Sequence, residues 1–390
     1  MAEGAPQPST SQADEITWLE LFYDLVYVAA IIQLGTALSE NHSWGGTAQF
    51  AALFALLWWV WSSTAFLFNR LPTDNVPRRV LVFLQTFAIG NLAIVIGGAF
   101  GETSVSFALT YAVARFVLVL LHLEVLRRTP GARAHLLRQS GGFSVGVALW
   151  VLSAFVPPPW RFALWGLAVA VDLVTALSRR PRGHEGRSLL RLELPRLSER
   201  YGQFTLIVIG ESFIKTVDGL SAKGLSLEQL IFSALAFVFI ACVWWTYFSN
   251  VAGVVIREGA GLAWAYLHLP LMLGIVTMGV GLSEVVKLEF GETFDPAYHA
   301  LLYGALILIF FTFTLLDRVT RRSGAKERAR LALHVGAVLV FGAALLLGTN
   351  AAFWSVGLGS LVALGVIVVE TWLGPKSTDE ARTQLEGSRA

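Results

Sequence analysis

ITWLELFYDLVYVAAIIQLG, residues 16–35, decides the fold. At about 1.5 Å per residue the run spans roughly 30 Å, the thickness of bilayer hydrocarbon, and it is apolar enough to lie there. Yet it carries Glu20 and Asp24 one helical turn apart. A carboxylate in hydrocarbon is costly and persists where it faces protein, water or a ligand. The stretch therefore reads as a membrane helix with one polar face. Glu20, Tyr23, Asp24 and Tyr27 fall at i, i+3, i+4 and i+7 and share that face. Glu20 stands near the helix start, where a carboxylate also serves as a cap; Asp24 lies a turn too deep for that.

The rest of the chain repeats the pattern. Of 390 residues, 55% are hydrophobic and 14% charged, with mean hydropathy +0.63. Soluble domains carry about 25% charged residues. Apolar runs are centred near 18–38, 46–68, 79–99, 104–126, 141–157, 160–178, 201–220, 226–250, 262–284, 297–316, 331–348 and 351–373. The expected fold is an all-α polytopic membrane protein of about twelve transmembrane helices. Pro157, Pro158 and Pro159 separate the fifth and sixth runs only weakly, so residues 141–178 also admit a single span. Residues 1–15 and 374–390 read as polar tails, the first as a disordered segment without the basic start and apolar core of a signal peptide.

Lys and Arg set the orientation. With the N-terminus in the cytoplasm, twenty-four of the 29 basic residues fall in cytoplasmic segments. Three, Arg161, Lys223 and Lys287, fall outside, and Arg115 and Lys215 lie within spans. That asymmetry is the positive-inside pattern, and it places both termini in the cytoplasm. The arginine-rich stretch 179–200 reads as a cytoplasmic connector between six-helix halves at 16–178 and 201–373. A similar order of motifs, Glu20 then WWVW at 58–61 and Glu199 then WWTY at 244–247, raises a parallel repeat of the two halves.

Polar residues inside the other spans are the remaining site candidates. In ERYGQFTLIVIGESFIK (199–215), Glu211 lies near mid-membrane with Lys215 at i+4. That order suits an ion pair; a working carboxylate is the other reading, and Gly210 beside it admits close approach. YAVARFVLVLLHLE (111–124) places Arg115 at mid-depth, facing an acidic partner or an anionic ligand. Arg115 and Glu211 are expected to pair. Asp172 in AVAVDLVTA needs a partner too, Asn91 is polar at similar depth, and His268 precedes Pro270, where a kink is expected. The loop NRLPTDNVPRR (69–79) gathers Asn69, Arg70, Thr73, Asp74 and Arg78 at the cytoplasmic edge.

Other chemistries lack their motifs. There is no GxxxxGK[ST] loop, HExxH, DDxxD or GxSxG, and the single Cys242 excludes an internal disulfide and a CxxC metal site.

Four stretches, ELFYDLVYVAAIIQL (20–34), WWVWSSTAFLFNRLPTDN (58–75), ERYGQFTLIVIGES (199–212) and HLPLMLGI (268–275), resemble in this order the bacterial low temperature requirement A (LtrA) family. The resemblance runs from about residue 16 to 370 and implies a polytopic bacterial inner-membrane protein, with no settled substrate or reaction. It points to Glu20, Asp24, Asn69, Arg70, Thr73, Asp74, Glu199, Arg200, Gly210, Glu211 and His268. The family loop often has two adjacent acids after the Thr; here the second position is Asn75, which weakens a metal site there.

Two functions compete. One is a secondary, proton-coupled transporter of a small solute, with Glu20, Tyr23, Asp24, Tyr27, Asn91, Arg115, Asp172, Glu211, Lys215 and His268 on the substrate or proton path and Glu211 as the proton carrier. No cofactor is expected for it. The other is an intramembrane enzyme on a lipid or isoprenoid diphosphate, in which Glu20, Asp24 and Asp74 bind Mg²⁺ and Arg70 and Arg78 take the phosphate. Partners in either case are the lipid bilayer and a small-molecule or lipid substrate, with no nucleic acid.

Overall fold

Thr17 starts the first helix. Its hydroxyl accepts the Glu20 amide proton at 3.3 Å, and the Glu20 carboxylate accepts the Thr17 amide at 3.4 Å. This reciprocal cap satisfies donors that the first turn leaves open. The computed structural model describes residues 17–71, 75–127, 129–177, 192–252, 256–257, 259–320, 325–348 and 352–374. Among them are twelve α-helices. The first half holds α1 (Trp18–Glu40), α2 (Trp44–Arg70), α3 (Val76–Val95), α4 (Ser104–Leu126), α5 (Arg133–Ser153) and α6 (Trp160–Leu177). The second holds α7 (Leu194–Lys223), α8 (Leu227–Asn250), α9 (Gly261–Val285), α10 (Pro296–Val319), α11 (Ala325–Leu347) and α12 (Ala352–Leu373).

Ten of the described helices are long and apolar enough to cross a membrane by themselves. The other two, α5 and α7, begin in turns that carry Arg133, Arg138, Arg196 and Arg200. Residues 141–177 thus form two helices with the prolines between them. Three helices start earlier than the apolar runs predict: α5 at Arg133, α7 at Leu194 and α11 at Ala325. Hydropathy marks where lipid contact begins, whereas arginine and lysine are good helix formers and let the helix extend beyond it. Pro195 in the first turn of α7 is pre-set for a helix start. The consequence is that Arg196 and Arg200, expected in a connector, stand on a helix. Thr73, Asp74, the terminal tails and most of the 179–200 connector lie outside the described residues.

Neighbouring helices alternate in direction. The end of α2 bonds the start of α7 through Asn69 and Glu193, the start of α3 bonds the end of α4 through Asn75 and Glu124, and the start of α11 meets the end of α12 through Arg330 and Glu370. At the other end, the finish of α1 bonds the start of α10 through Ser39 and Tyr298. Most described arginines gather at the first of these ends, called the basic end below.

Within each half, consecutive helices pack in a similar order, but the second half adds a contact of α8 with α12 that α2 and α6 do not match. α1 packs on α2 and α3, then α3 on α4, α4 on α5 and α5 on α6; α7 packs on α8 and α9, then α9 on α10, α10 on α11 and α11 on α12. The halves meet where α1 and α2 face α7 and α9. α9 is the central helix and is apolar almost all round, as an enclosed helix should be. It runs as one helix through Pro270. At Gly279 it rests directly on α7: a Cβ there would lie 2.8 Å from the Ser212 Cα. Small residues at such crossings let membrane helices pack backbone to backbone. Outward faces carry Phe83, Phe87, Ile94, Val174, Leu361 and Val368, exposed apolar surface suited to lipid.

Candidate functional site

The same spacing of opposite charge opens the two halves. α1 carries Glu20 and Asp24 at i, i+4, and α7 carries Arg196 and Arg200 at i, i+4. The two helices lie side by side and run in the same direction, so these pairs meet in register. Arg196 Nη2 lies 3.0 Å from Glu20 Oε1, and Arg200 Nη2 lies 3.1 Å from Asp24 Oδ1, both with an offset of 176 residues. Deeper in the membrane the register holds, for Glu211 Oε1 would sit 3.5 Å from a Cβ built on Gly35. One seam of ionisable groups therefore follows α1 and α7 from the basic end into the bilayer.

Arg200 is the hub of the outer part of the seam. Besides Asp24, its Nη1 lies 3.5 Å from Glu20 Oε1. Its guanidinium sits over the rings of Phe68 at 5.5 Å and Tyr23 at 6.0 Å. Trp61 Nε1–H donates to Asp24 Oδ1 at 2.7 Å, and the indole stacks on Phe204 at 4.1 Å. Both carboxylates and the guanidinium are buried. In a low-dielectric interior such charges persist only when paired, and these are paired twice over.

A hydroxyl chain leads away from this hub. Tyr23 and Tyr27 share a bond of 2.9 Å, and Tyr23 donates to Thr64 at 3.2 Å. Thr64 in turn donates to Gln85 at 3.3 Å. On the other side Tyr201 bonds Ser62 at 2.8 Å and packs edge-on against His268. His268 Nδ1 faces the Trp264 carbonyl at 2.8 Å, and its Nε2 faces Tyr247 OH at 3.0 Å. A carbonyl only accepts, so Nδ1 carries the proton and, in the neutral ring, Nε2 accepts from Tyr247.

Glu211 differs from Asp24 in having no ion-pair partner among the described residues, although each carboxylate leaves one buried oxygen without a hydrogen bond. Glu211 is only 2% exposed, and among the described residues its Oε2 has no hydrogen-bond partner. Lys215 does not close the expected ion pair with it among the described residues. Its Nζ instead reaches Thr36 of α1 at 3.3 Å. Ser212, next to Glu211, is anchored by its bond to the Ile275 carbonyl of α9 at 2.8 Å, which holds this turn of α7 in place.

Arg115 does not pair with Glu211. Its Nη2 lies 2.6 Å from Asp172 Oδ2, with both side chains essentially unexposed. Its Nη1 donates to Ser63 at 3.3 Å, and the guanidinium lies 4.9 Å from the Phe143 ring centre. The reason is packing. Arg115 is on α4, which packs within the first half, and Gly146 of α5 clears the way for Asp172 of α6: a Cβ at Gly146 would stand 2.6 Å from Asp172 Oδ1. Glu211 belongs to the α1–α7–α9 contact. Shared depth in the bilayer did not make the two neighbours.

Between these centres lies a small polar cavity of about 40 Å³, lined among others by Ser62, Ser63, Arg70, His122, Gln139 and Tyr266. Such a volume holds a few waters or one small polar group. Ser62 links its wall to Tyr201, and Ser63 links it to Arg115.

The loop residues divide between structure and site. Asn69 accepts from the Glu193 amide at 3.0 Å and donates to its carbonyl at 2.9 Å, tying α2 to the entry of α7. Arg78 donates to the Leu71 carbonyl at 2.9 Å and lies 3.8 Å from Glu124, which Asn75 also bonds. Both are staples between helix ends. Asn91 bonds the Phe87 carbonyl of its own helix at 2.8 Å and does not join the seam. Arg70 lines the cavity.

Sequence reading missed Trp61, Ser62, Thr64, Gln85, Arg196 and Tyr201 as site residues. A signal for Arg196 was present in the matched i, i+4 spacing of acids on α1 and bases on α7. The arginine was absorbed into the positive-inside count instead.

Residues 15–369 match the family described as bacterial low temperature requirement A protein (LtrA). A protein of Rhizobium meliloti (strain 1021), described as uncharacterized protein RA0937, is 29% identical over 277 residues, covering 67% of each chain.

Proposed function

We propose that this chain, which belongs to the bacterial low temperature requirement A family, is a proton-coupled secondary transporter of a small solute. It acts in the bacterial inner membrane with the basic end and both termini in the cytoplasm. The observation that carries the reading is the α1–α7 seam. Ion pairs close it at the basic end, and Glu211 stands further in without an ion-pair partner among the described residues, one of its oxygens also lacking a hydrogen bond. A buried carboxylate without a full set of donors favours taking up a proton or a cationic group. The pairs Glu20–Arg196 and Asp24–Arg200 lie where the two halves meet, so a rocking of one half against the other would break and remake them. Tyr23, Tyr27, Tyr201 and His268 supply hydroxyls and an imidazole through which protons pass between hub and cavity.

The test is purified full-length protein in liposomes loaded with a pH-sensitive dye. Pools of amino acids, amines, organic acids and sugars are added outside under an imposed membrane potential. A pool that drives dye-reported proton movement in wild type, and not in Glu211→Gln folded to the same melting temperature, supports the reading. Proton movement unaffected by every pool, or equal in Glu211→Gln, rejects it.

The enzyme reading draws on the polar cavity with Arg70, His122 and Gln139. It is the weaker of the two because Glu20 and Asp24, its required Mg²⁺ donors, are occupied by Arg196 and Arg200.

A further inference from the structure

The second half contains a buried ionisable cluster far from the α1–α7 seam. His334 of α11 is wedged between Asp317 of α10 and Glu370 of α12. Its Nδ1 lies 3.0 Å from Asp317 Oδ2 and its Nε2 lies 3.1 Å from Glu370 Oε1. Arg330, one turn nearer the basic end, holds the other Glu370 oxygen, Nε to Oε2, at 2.9 Å. It also donates to the Gly374 carbonyl. From α8, Asn250 hydrogen-bonds Glu370. Phe310 and Phe313 pack on the ring. All four ionisable side chains are at least nine-tenths buried.

We propose that His334, with Asp317 and Glu370, is a proton-binding site that joins α10, α11 and α12 only while the extra proton is present. The geometry sets the proton count. Ionised carboxylate oxygens only accept, so both contacts are favourable when each ring nitrogen bears a hydrogen, or when one carboxyl carries it. With the extra proton gone the ring is neutral and donates to one carboxylate only; the Nε2–Oε1 contact has hydrogen-bond geometry, whereas the Nδ1–Oδ2 contact is an ion-pair approach that depends on the positive charge of the ring. That side of the bridge then opens, and the proton leaves to water at the basic end. A metal does not fit the same atoms. The two carboxylates approach opposite nitrogens of one ring, so no single ion touches both carboxylates and a ring nitrogen.

The first half shows what a permanent join looks like. There α4 and α6 are held by Arg115 and Asp172, and a guanidinium does not lose its proton in proteins. At the join of α10, α11 and α12 stands histidine, the side chain suited to exchanging a proton near neutral pH. The site does not depend on the transport reading.

The test is full-length protein in lipid nanodiscs with ¹⁵N-labelled histidine, followed by solid-state NMR from pH 5 to 10, an interval chosen around the ordinary histidine range. His334 is identified as the signal lost in His334→Gln or, should that variant not fold, as the signal displaced in both Asp317→Asn and Glu370→Gln. The expected result is a single conversion from doubly to singly protonated ring. In Asp317→Asn it moves to lower pH by about one unit or more, since an anionic partner is gone. The melting temperature of wild type falls as pH rises through the conversion. A ring signal constant over the whole range overturns the proposal, as does a conversion at the same pH in wild type and Asp317→Asn.

Discussion

Removing the charge of Arg115 alone should damage the first half more than removing Arg115 and Asp172 together. At 2.6 Å and an effective dielectric of about 20, the attraction is about 6 kcal/mol. Taking two ions out of water costs several kcal/mol each, so the intact pair adds little net stability. Arg115→Leu leaves Asp172 buried, and its exposure of 1% gives it no route to water. Loss of one partner of a buried pair typically costs about 3–5 kcal/mol. If the first six helices unfold as one unit, that is a melting-temperature drop of about 6–20 °C, by the scaling of domains of 150–250 residues. Asp172→Leu should cost a similar amount. The double variant Arg115→Leu/Asp172→Leu should recover most of the loss. Gly146→Ala tests the geometry without touching either charge, because its Cβ would stand 2.6 Å from Asp172 Oδ1. It should resemble the single variants. The assay is thermal unfolding in detergent by intrinsic fluorescence, arranged as a double-mutant cycle. Strictly additive losses, or single variants within about 1 kcal/mol of wild type, would refute the reasoning.

Two further outcomes follow from the same packing. Gly279→Ala places a methyl 2.8 Å from Ser212 Cα; overpacking of this kind costs about 1–3 kcal/mol and should separate α7 from α9, read as lower thermal stability and faster hydrogen exchange around Ser212, and unchanged stability would show that the crossing yields easily. In a background with the buried Cys242 replaced by Ala, a cysteine at Glu102 should react with a membrane-impermeant thiol reagent in intact cells and one at Arg127 should not, since they lie at opposite ends of α4; the reverse labelling would invert the topology.

How far the site was legible depended on how local the signal was. Glu20, Asp24, Glu211 and His268 stood out because an ionisable side chain inside an apolar run is conspicuous without any neighbour. Their partners were not conspicuous. Trp61, Ser62, Tyr201 and Gln85 are ordinary members of membrane helices until another helix is laid against them. Asp317 and Glu370 lie near helix ends, where charges are expected, Arg330 and His334 lie further along α11, and only the meeting of three helices makes them a buried cluster. Asn91 shows the converse: polar at mid-depth in sequence, it satisfies itself on its own helix at the Phe87 carbonyl.

The sequence by itself determined the helical class, the position of the helices along the chain and the alternation of their ends. A bilayer responds to local hydropathy and local charge, and both are written in consecutive residues. Tertiary structure alone decided which charges are neighbours. Arg115 meets Asp172 because Gly146 opens α5 between them. Arg196 and Arg200 reach Glu20 and Asp24 because α7 begins at Leu194, before the apolar run, and lies parallel to α1. Depth in the membrane is a one-dimensional coordinate that hydropathy reports. Partnership depends on the two remaining coordinates, which come from how helix faces fit together.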